Sequence, residues 1–189
     1  MEAQKLLDAL ADSPVIAAVK NDGELERALE SDVAVLFLLY GTLVSLPELT
    51  RRVHDAGKLA FVHLDLVEGL AAREVAVDFV RANTAADGVI STKANLTRRA
   101  RELGLVAIQR YFLLDSRALH ALEQQFHPAN ADVVEVLPGL MPKIIAREAA
   151  RIGVPVIAGG LIRDKEDVTG ALSAGAVAVS STNPDVWNM

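Results

Sequence analysis

The chain has 189 residues, 19 Lys and Arg against 25 Asp and Glu, a net charge of −6 and no cysteine. That length suits one domain, and the lack of cysteine excludes disulfides, thiolate nucleophiles, iron–sulfur clusters and cysteine zinc sites. The charge balance excludes a uniformly basic nucleic-acid coat but leaves room for a local basic patch.

A composition that is 51% hydrophobic but 4% aromatic implies a core of Ala, Val, Ile and Leu, the make-up of buried parallel sheets. The opening Met1-Glu2-Ala3-Gln4-Lys5 carries mixed charge, so no signal peptide is expected. No apolar run reaches the about 18 residues of a membrane span. A cytoplasmic protein is the expectation.

Leu6, Leu7 and Leu10 fall at helical spacing, and Asp12-Ser13-Pro14 stops that helix, which is expected to cap the domain. Short apolar runs then read as buried strands at Val15 to Val19, Val33 to Leu39, Leu59 to Leu64, Gly88 to Ser91, Val106 to Gln109, Val133 to Leu137, Pro155 to Ala158 and Ala176 to Ser180. Charged stretches with 3.6-residue periodicity lie between them, such as Arg73 to Arg81, Leu96 to Leu103 and Ala118 to Phe126. Strands alternating with helices imply a parallel sheet with crossover helices. Eight such units predict a compact (β/α)8 TIM-like barrel spanning residues 1–189 as a single domain. At about 24 residues per unit, against about 31 in a typical barrel, the loops must be short. An open doubly wound sheet is the alternative.

In either architecture ligands bind at the carboxyl ends of the strands. Those ends carry Lys20, Asp65, Lys93, Arg110 and Glu135. Charged groups delivered to one rim by apolar strands must be paired or liganded. Mutual pairing across the mouth is the plainer account of them. Gly159-Gly160 follows the seventh strand, and Ser180-Ser181-Thr182-Asn183-Pro184 follows the eighth. Asn183 is suited to cap a short helix with Pro184 at its first position. Loops after strands seven and eight with a short helix make the recurrent phosphate site of such barrels, so Gly159, Gly160, Ser180 and Ser181 are the candidate phosphate-binding residues.

His63 lies two residues before Asp65, which on a strand places both on one face. It reads as a general base or, more simply, as a hydrogen-bonded core or rim histidine. His54, His120 and His127 sit on polar helical stretches without metal-ligand spacing, so no metal is expected. Basic residues cluster at Arg98, Arg99 and Arg101, at Arg51, Arg52 and Lys58, and at Arg147 and Arg151. Each is a candidate phosphate-backbone contact or a solvated helix face. Of the adjacent aromatics Tyr111 and Phe112, one is expected to pack inside, leaving little to stack on bases.

Several stretches together resemble the glycerol uptake operon antiterminator family. They are His63-Leu64-Asp65-Leu66-Val67-Glu68-Gly69-Leu70, Asp87-Gly88-Val89-Ile90-Ser91-Thr92-Lys93 and Gln109-Arg110-Tyr111-Phe112-Leu113-Leu114-Asp115-Ser116. Glu135-Val136-Leu137-Pro138-Gly139-Leu140-Met141-Pro142-Lys143, Ala158-Gly159-Gly160-Leu161-Ile162-Arg163-Asp164-Lys165-Glu166-Asp167-Val168 and Ser180-Ser181-Thr182-Asn183 with Trp187 complete the set. The resemblance implies a bacterial, non-catalytic regulator on a barrel-like fold. Such a regulator senses glycerol 3-phosphate, binds the leader mRNA of glycerol genes and acts against a terminator, with no cofactor and as a possible homodimer. It implies that the phosphate sits on Gly159, Gly160, Ser180 and Ser181. Lys20, Asp65, Lys93, Arg110 and Glu135 are then the candidates for the glycerol hydroxyls, and Arg98, Arg99 and Arg101 the first candidates for RNA. The competing class is a barrel enzyme (isomerase, aldolase or phosphodiesterase) on a small phosphorylated substrate. In that class Lys20 or Lys93 would form a Schiff base and Asp65 or Glu135 would act as base.

Overall fold

The structure is a computed structural model describing residues 2–189. Helix α1 (Glu2–Asp12) is followed by β1 (Val15–Val19), α2 (Asp22–Glu30), β2 (Val35–Leu38), α3 (Leu46–Asp55), β3 (Leu59–His63), α4 (Glu74–Asn83), β4 (Gly88–Ser91) and α5 (Ala94–Glu102). The second half contains β5 (Val106–Phe112), α6 (Ser116–Gln125), β6 (Val133–Leu137), α7 (Pro142–Arg151), β7 (Val156–Gly159), α8 (Lys165–Ser173) and β8 (Ala178–Ser181). All neighbouring strands pair in parallel, and β1 pairs with β8 through Ile16 opposite Ser180. That closing ladder makes the sheet a barrel and overturns the open-sheet alternative.

Local sequence starts the helices. Asn21, Asp115 and Asp164 accept N–H bonds from Glu24, Ala118 and Asp167 at the first turns of α2, α6 and α8. Proline stands in the first turn of α3 and α7. Because each helix runs back against its strand, these N-termini line the same mouth as the strand carboxyl ends.

Strand alternation divides the core in two. Ile16, Phe37, Phe61, Ile90, Ile108, Val133 and Ile157 fill the barrel interior, where Phe37 and Phe61 tilt at 60° with centroids 5.9 Å apart. Leu6 and Leu10 of α1 join this cluster, so α1 plugs the bottom of the barrel as expected of a capping helix. Lys5 of α1 also reaches Asp87 at 3.1 Å. Residues one position over, such as Ala17, Leu36, Val62, Val89, Val134 and Val179, pack against the helices. Full burial of a large aliphatic side chain contributes about 1.5–3 kcal/mol, so both layers are needed.

β1, β4 and β6 have the expected bounds, and the ends of the other five strands differ from expectation by one to three residues. The largest difference is β5, which continues past Gln109 to Phe112. Charge at Arg110 looks like a strand end, but Arg110 stays in register opposite Glu135 and their ion pair removes the reason to stop. Asp65 is not on a strand. β3 stops at His63 and Asp65 lies in a single 3-10 turn, Leu64–Leu66, so the two residues share no strand face. The helix expected after strand eight is one 3-10 turn, Pro184–Val186, capped by Asn183.

Gly88 faces the barrel interior, and a Cβ there would overlap the Phe61 ring and the Val106 carbonyl. Gly88→Ala is therefore expected to lower stability by about 1–3 kcal/mol in urea denaturation. Gly170→Ala on α8, where an added Cβ meets nothing, should be neutral or stabilising.

Candidate functional site

A cavity of about 340 Å³ opens at the barrel mouth. Its polar lining is Arg110, Gly160, Arg163, Ser180, Ser181, Thr182 and Asn183, and Ala18, Leu39, Leu137, Leu161 and Ile162 supply the apolar side. Small-ligand pockets have this size and mixture.

The deep wall is a buried polar group. Glu135 has no exposed surface. One of its oxygens accepts from Arg110 Nε at 2.6 Å and the other from the Ser180 hydroxyl at 2.6 Å. Arg110 is itself buried, and among the described residues its two terminal nitrogens have no hydrogen-bond partner. A guanidinium anchored at Nε, lining a cavity and with both terminal nitrogens free of protein partners, is arranged to receive an anion or a polar oxygen.

Gly159 has a steric role here. A Cβ on it would lie 2.5 Å from Glu135 Oε1 and 2.6 Å from Ser180 Oγ, so a side chain would displace the pair. Gly160 turns the chain with φ 75°, and Leu161 follows it at φ 65°, a conformation costly for a non-glycine residue. Together they bring Arg163 to the cavity edge.

Ser181 acts as a brace. Its hydroxyl donates to the Ile162 carbonyl at 2.8 Å and accepts from the Asn183 N–H at 3.1 Å, and its carbonyl accepts from Trp187 Nε1 at 2.8 Å. Asn183 donates to the Arg163 carbonyl at 3.0 Å. The loops after β7 and β8 are thereby tied together. A 3-10 turn of three residues adds little dipole, so positive charge comes from the arginines rather than from a helix end.

The structure thus brings Gly160, Ser180, Ser181 and Arg110 to one cavity and sets Gly159 and Glu135 directly behind it. Lys20, Asp65 and Lys93 do not line it. Lys20 is exposed, 3.8 Å from Glu24. Lys93 pairs with Asp65 at 2.8 Å. Burial acts to raise the Asp65 carboxyl, but hydrogen bonds from Lys93, Thr92 and Ser91 prevail and hold it below the usual carboxylate range. A lysine in that pair, away from the cavity, is poorly placed as a Schiff-base nucleophile.

His63 is buried beside these groups with Nδ1 unpartnered, 4.0 Å from Asp65 Oδ2. The expected hydrogen bond is absent on that nitrogen. Burial first, and then the nearby Arg110 charge, push its pKa down to about 4.

Sequence reading missed Arg163, although its loop was singled out. The signal was an arginine two residues after a left-handed turn in a strand-end loop. The expected RNA cluster is neutralised: Arg98 pairs with Glu74 at 3.5 Å, Arg99 with Asp78 at 2.7 Å and Arg101 with Asp132 at 2.9 Å. Arg51 and Arg52, and Arg147 and Arg151, are likewise paired with carboxylates. Among the described residues no three His, Asp or Glu side chains converge as metal ligands, and no helix is long and apolar enough to cross a membrane.

The model of the glycerol-3-phosphate responsive antiterminator family matches residues 15–187. The chain belongs to this family. It is also 42% identical to the uncharacterized protein YgcP of Escherichia coli K12, over 97% of this chain and 96% of that one. The glycerol uptake operon antiterminator regulatory protein of Listeria monocytogenes superposes with a TM-score of 0.89 at 33% identity, covering 93% of this chain and 95% of the other. An antiterminator-related protein of Thermotoga maritima gives 0.80 at 34% identity, with 93% and 98% covered. Deoxyribose phosphate aldolase of Aeropyrum pernix shares the barrel at TM-score 0.69 over 98% of this chain and 94% of that one, but at 19% identity it speaks to fold alone.

The buried site generates two predictions. Glu135→Leu leaves Arg110 as an unpaired buried cation and should cost about 3–5 kcal/mol by denaturant titration. His63 has a folded pKa of about 4, below its ordinary 6.5, so the folded state binds fewer protons between those values. Stability is then fully present above pH 6.5 and falls by about 3 kcal/mol as pH drops toward 4. His63→Leu should flatten that part of the pH profile, measured as urea midpoints from pH 4 to 7.

Proposed function

We propose that this protein is a ligand-gated antiterminator that binds glycerol 3-phosphate in the mouth cavity and, when loaded, the leader mRNA of glycerol-utilisation genes. Family membership supplies the class of activity. The observation that carries the ligand reading is the pair of arginines on one small cavity, one of them buried and held at Nε by Glu135. A phosphate bearing about −1.5 to −2 charge is bound more strongly where cationic donors add to backbone N–H groups.

In this reading Arg163 and the Gly160–Arg163 turn take the phosphate, with the Gly159, Ser180 and Ser181 backbone shaping its seat. Arg110, Glu135 and Ser180 face the polyol from below. Ser180 Oγ donates to Glu135 and retains lone pairs to accept a glycerol hydroxyl. A ligand without that hydroxyl leaves buried polar groups unpaired, which favours the polyol phosphate over inorganic phosphate. Lys20, Asp65 and Lys93, the other expected glycerol contacts, form the outer rim instead.

Calorimetric titration with glycerol 3-phosphate, inorganic phosphate and glycerol tests the cavity. Saturable binding of the first, at least about tenfold tighter than either fragment, is expected. Arg163→Ala should weaken it by about 1.5–3 kcal/mol, the contribution of a hydrogen bond to a charged group. A folded protein that binds none of the three refutes the assignment. Filter binding of the leader RNA with and without the ligand tests the regulator. RNA binding indifferent to ligand would remove the gating step.

A further inference from the structure

The charges of this protein are sorted by place. Of its 19 lysines and arginines, eleven lie within 4 Å of a carboxylate. Arg27, Lys58 and Arg81 donate to backbone carbonyls. Among the described residues the side chains of Arg73, Arg117, Lys143, Arg163 and Lys165 have no protein partner, and all five stand at the mouth. Arg117, Lys143 and Lys165 are in the first turns of α6, α7 and α8, Arg163 is in the loop between β7 and α8, and Arg73 caps α4 across the mouth. The cations of the walls and bottom of the barrel have protein partners, whereas these five at the mouth do not.

The same arc also shows apolar surface. Phe112 is 48% exposed, Leu114 81%, Leu140 43% and Leu161 57%. These residues end β5 or occupy the loops after β5, β6 and β7, between the free cations in chain order. Tyr111 packs edge-on against Phe126 and takes the inward place, which leaves the Phe112 ring to solvent. Four acids share the arc, so its cations act as local contacts and not as a net positive field: Asp115 and Asp164 cap α6 and α8, Asp167 accepts the Arg163 N–H at 2.8 Å, and Glu166 is exposed.

We infer that the loops after β5, β6 and β7, with Arg117, Lys143 and Lys165 as backbone contacts and Phe112 as a stacking platform, form the binding surface for single-stranded RNA. Free cations beside an exposed ring suit a polyanion with aromatic faces. A purely hydrophobic partner would gain nothing from the cations. The inference rests on the regulator reading above and gives it a location different from Arg98, Arg99 and Arg101 of α5. It also places RNA against the Gly160–Arg163 turn, so that ligand and RNA share one rim.

The test is filter binding of the leader RNA at about 50 and 200 mM salt with saturating glycerol 3-phosphate. It compares wild type, the triple variant Arg117→Gln, Lys143→Gln, Lys165→Gln, the single variant Phe112→Ser, and the triple variant Arg98→Gln, Arg99→Gln, Arg101→Gln. Ligand affinity is measured on each by calorimetry. The arc variant should lose at least about tenfold in RNA affinity, with a salt slope shallower by about 2, at roughly 0.7 per phosphate contact on a single strand. Phe112→Ser should weaken binding without changing the slope. Ligand affinity should stay within threefold in both. RNA affinity and slope unchanged in the arc variant, or lost only in the α5 variant, overturn this surface while sparing the regulator reading. Wild type that binds the ligand but no RNA overturns both. A salt-insensitive dimer in sedimentation, dissociated by Phe112→Ser, would make the face a contact between copies and also overturn the proposal.

Discussion

The buried Arg110–Glu135 pair is the constraint from which the mouth of this barrel is built. Two buried charges are tolerable only if their remaining lone pairs and N–H groups find partners, in the protein or in what fills the cavity. Glu135 meets that demand with Arg110 Nε on one oxygen and Ser180 Oγ on the other. Gly159 must then be a glycine, because any side chain would occupy the Glu135 carboxylate position. The pair also extends β5 beyond its apolar run, which carries Tyr111 and Phe112 to the rim. One ion pair thus fixes a strand length, a glycine and the floor of the cavity.

The pair stabilises less than it specifies. An aliphatic replacement of both partners would pack as well and avoid desolvation. What it would not do is hold on the cavity wall a guanidinium whose terminal nitrogens are free of protein partners. The unpartnered His63 Nδ1 nearby belongs to the same economy of charge, because a neutral imidazole adds no second cation beside Arg110. The folded state thereby accepts a sensitivity to acid in exchange for a cavity whose fixed charge stays at the arginines.

The fold was legible because its signal is redundant. Eight apolar runs, each separated by a helical period, admit few arrangements, and no single strand had to be right. The closure of β1 on β8 was not written in any one segment. It follows from twist and number once the whole set is counted. Site residues after β7 and β8 were legible because architecture assigns them a place irrespective of contacts. The rim charges were not, since proximity in the strand-end set does not say which carboxylate meets which cation. Asp65 went to Lys93 and Glu135 to Arg110, and only the second pair faces the cavity. The pairing of the arginine clusters was hidden for the same reason. A run of basic residues on a helix such as α5 looks like a patch, yet Glu74, Asp78 and Asp132 come from outside that helix. Isolated cations at separate helix starts look unremarkable in sequence and form the free charge of the molecule in three dimensions.

The proposed gating would work through the way the rim is joined. The Gly160–Leu161 turn is left-handed at both residues, and the second of these is strained for a leucine. The turn is held from one side by Ser181 and Asn183, whose side chains donate to the Ile162 and Arg163 carbonyls, and from the other by Asp167, which accepts from the Arg163 N–H. An anion on the Arg163 side chain adds an attraction that exists only when this turn is formed. A ligand shifts a conformational equilibrium only by its difference in affinity for the two states, and a hundredfold preference amounts to about 2.7 kcal/mol. That is within what one charged hydrogen bond supplies together with its neighbours, at about 1.5–3 kcal/mol each. Leu161 and Arg163 lie on the cavity and on the apolar, basic rim alike. In the proposed scheme, a turn ordered by the ligand is thereby ordered for the RNA as well.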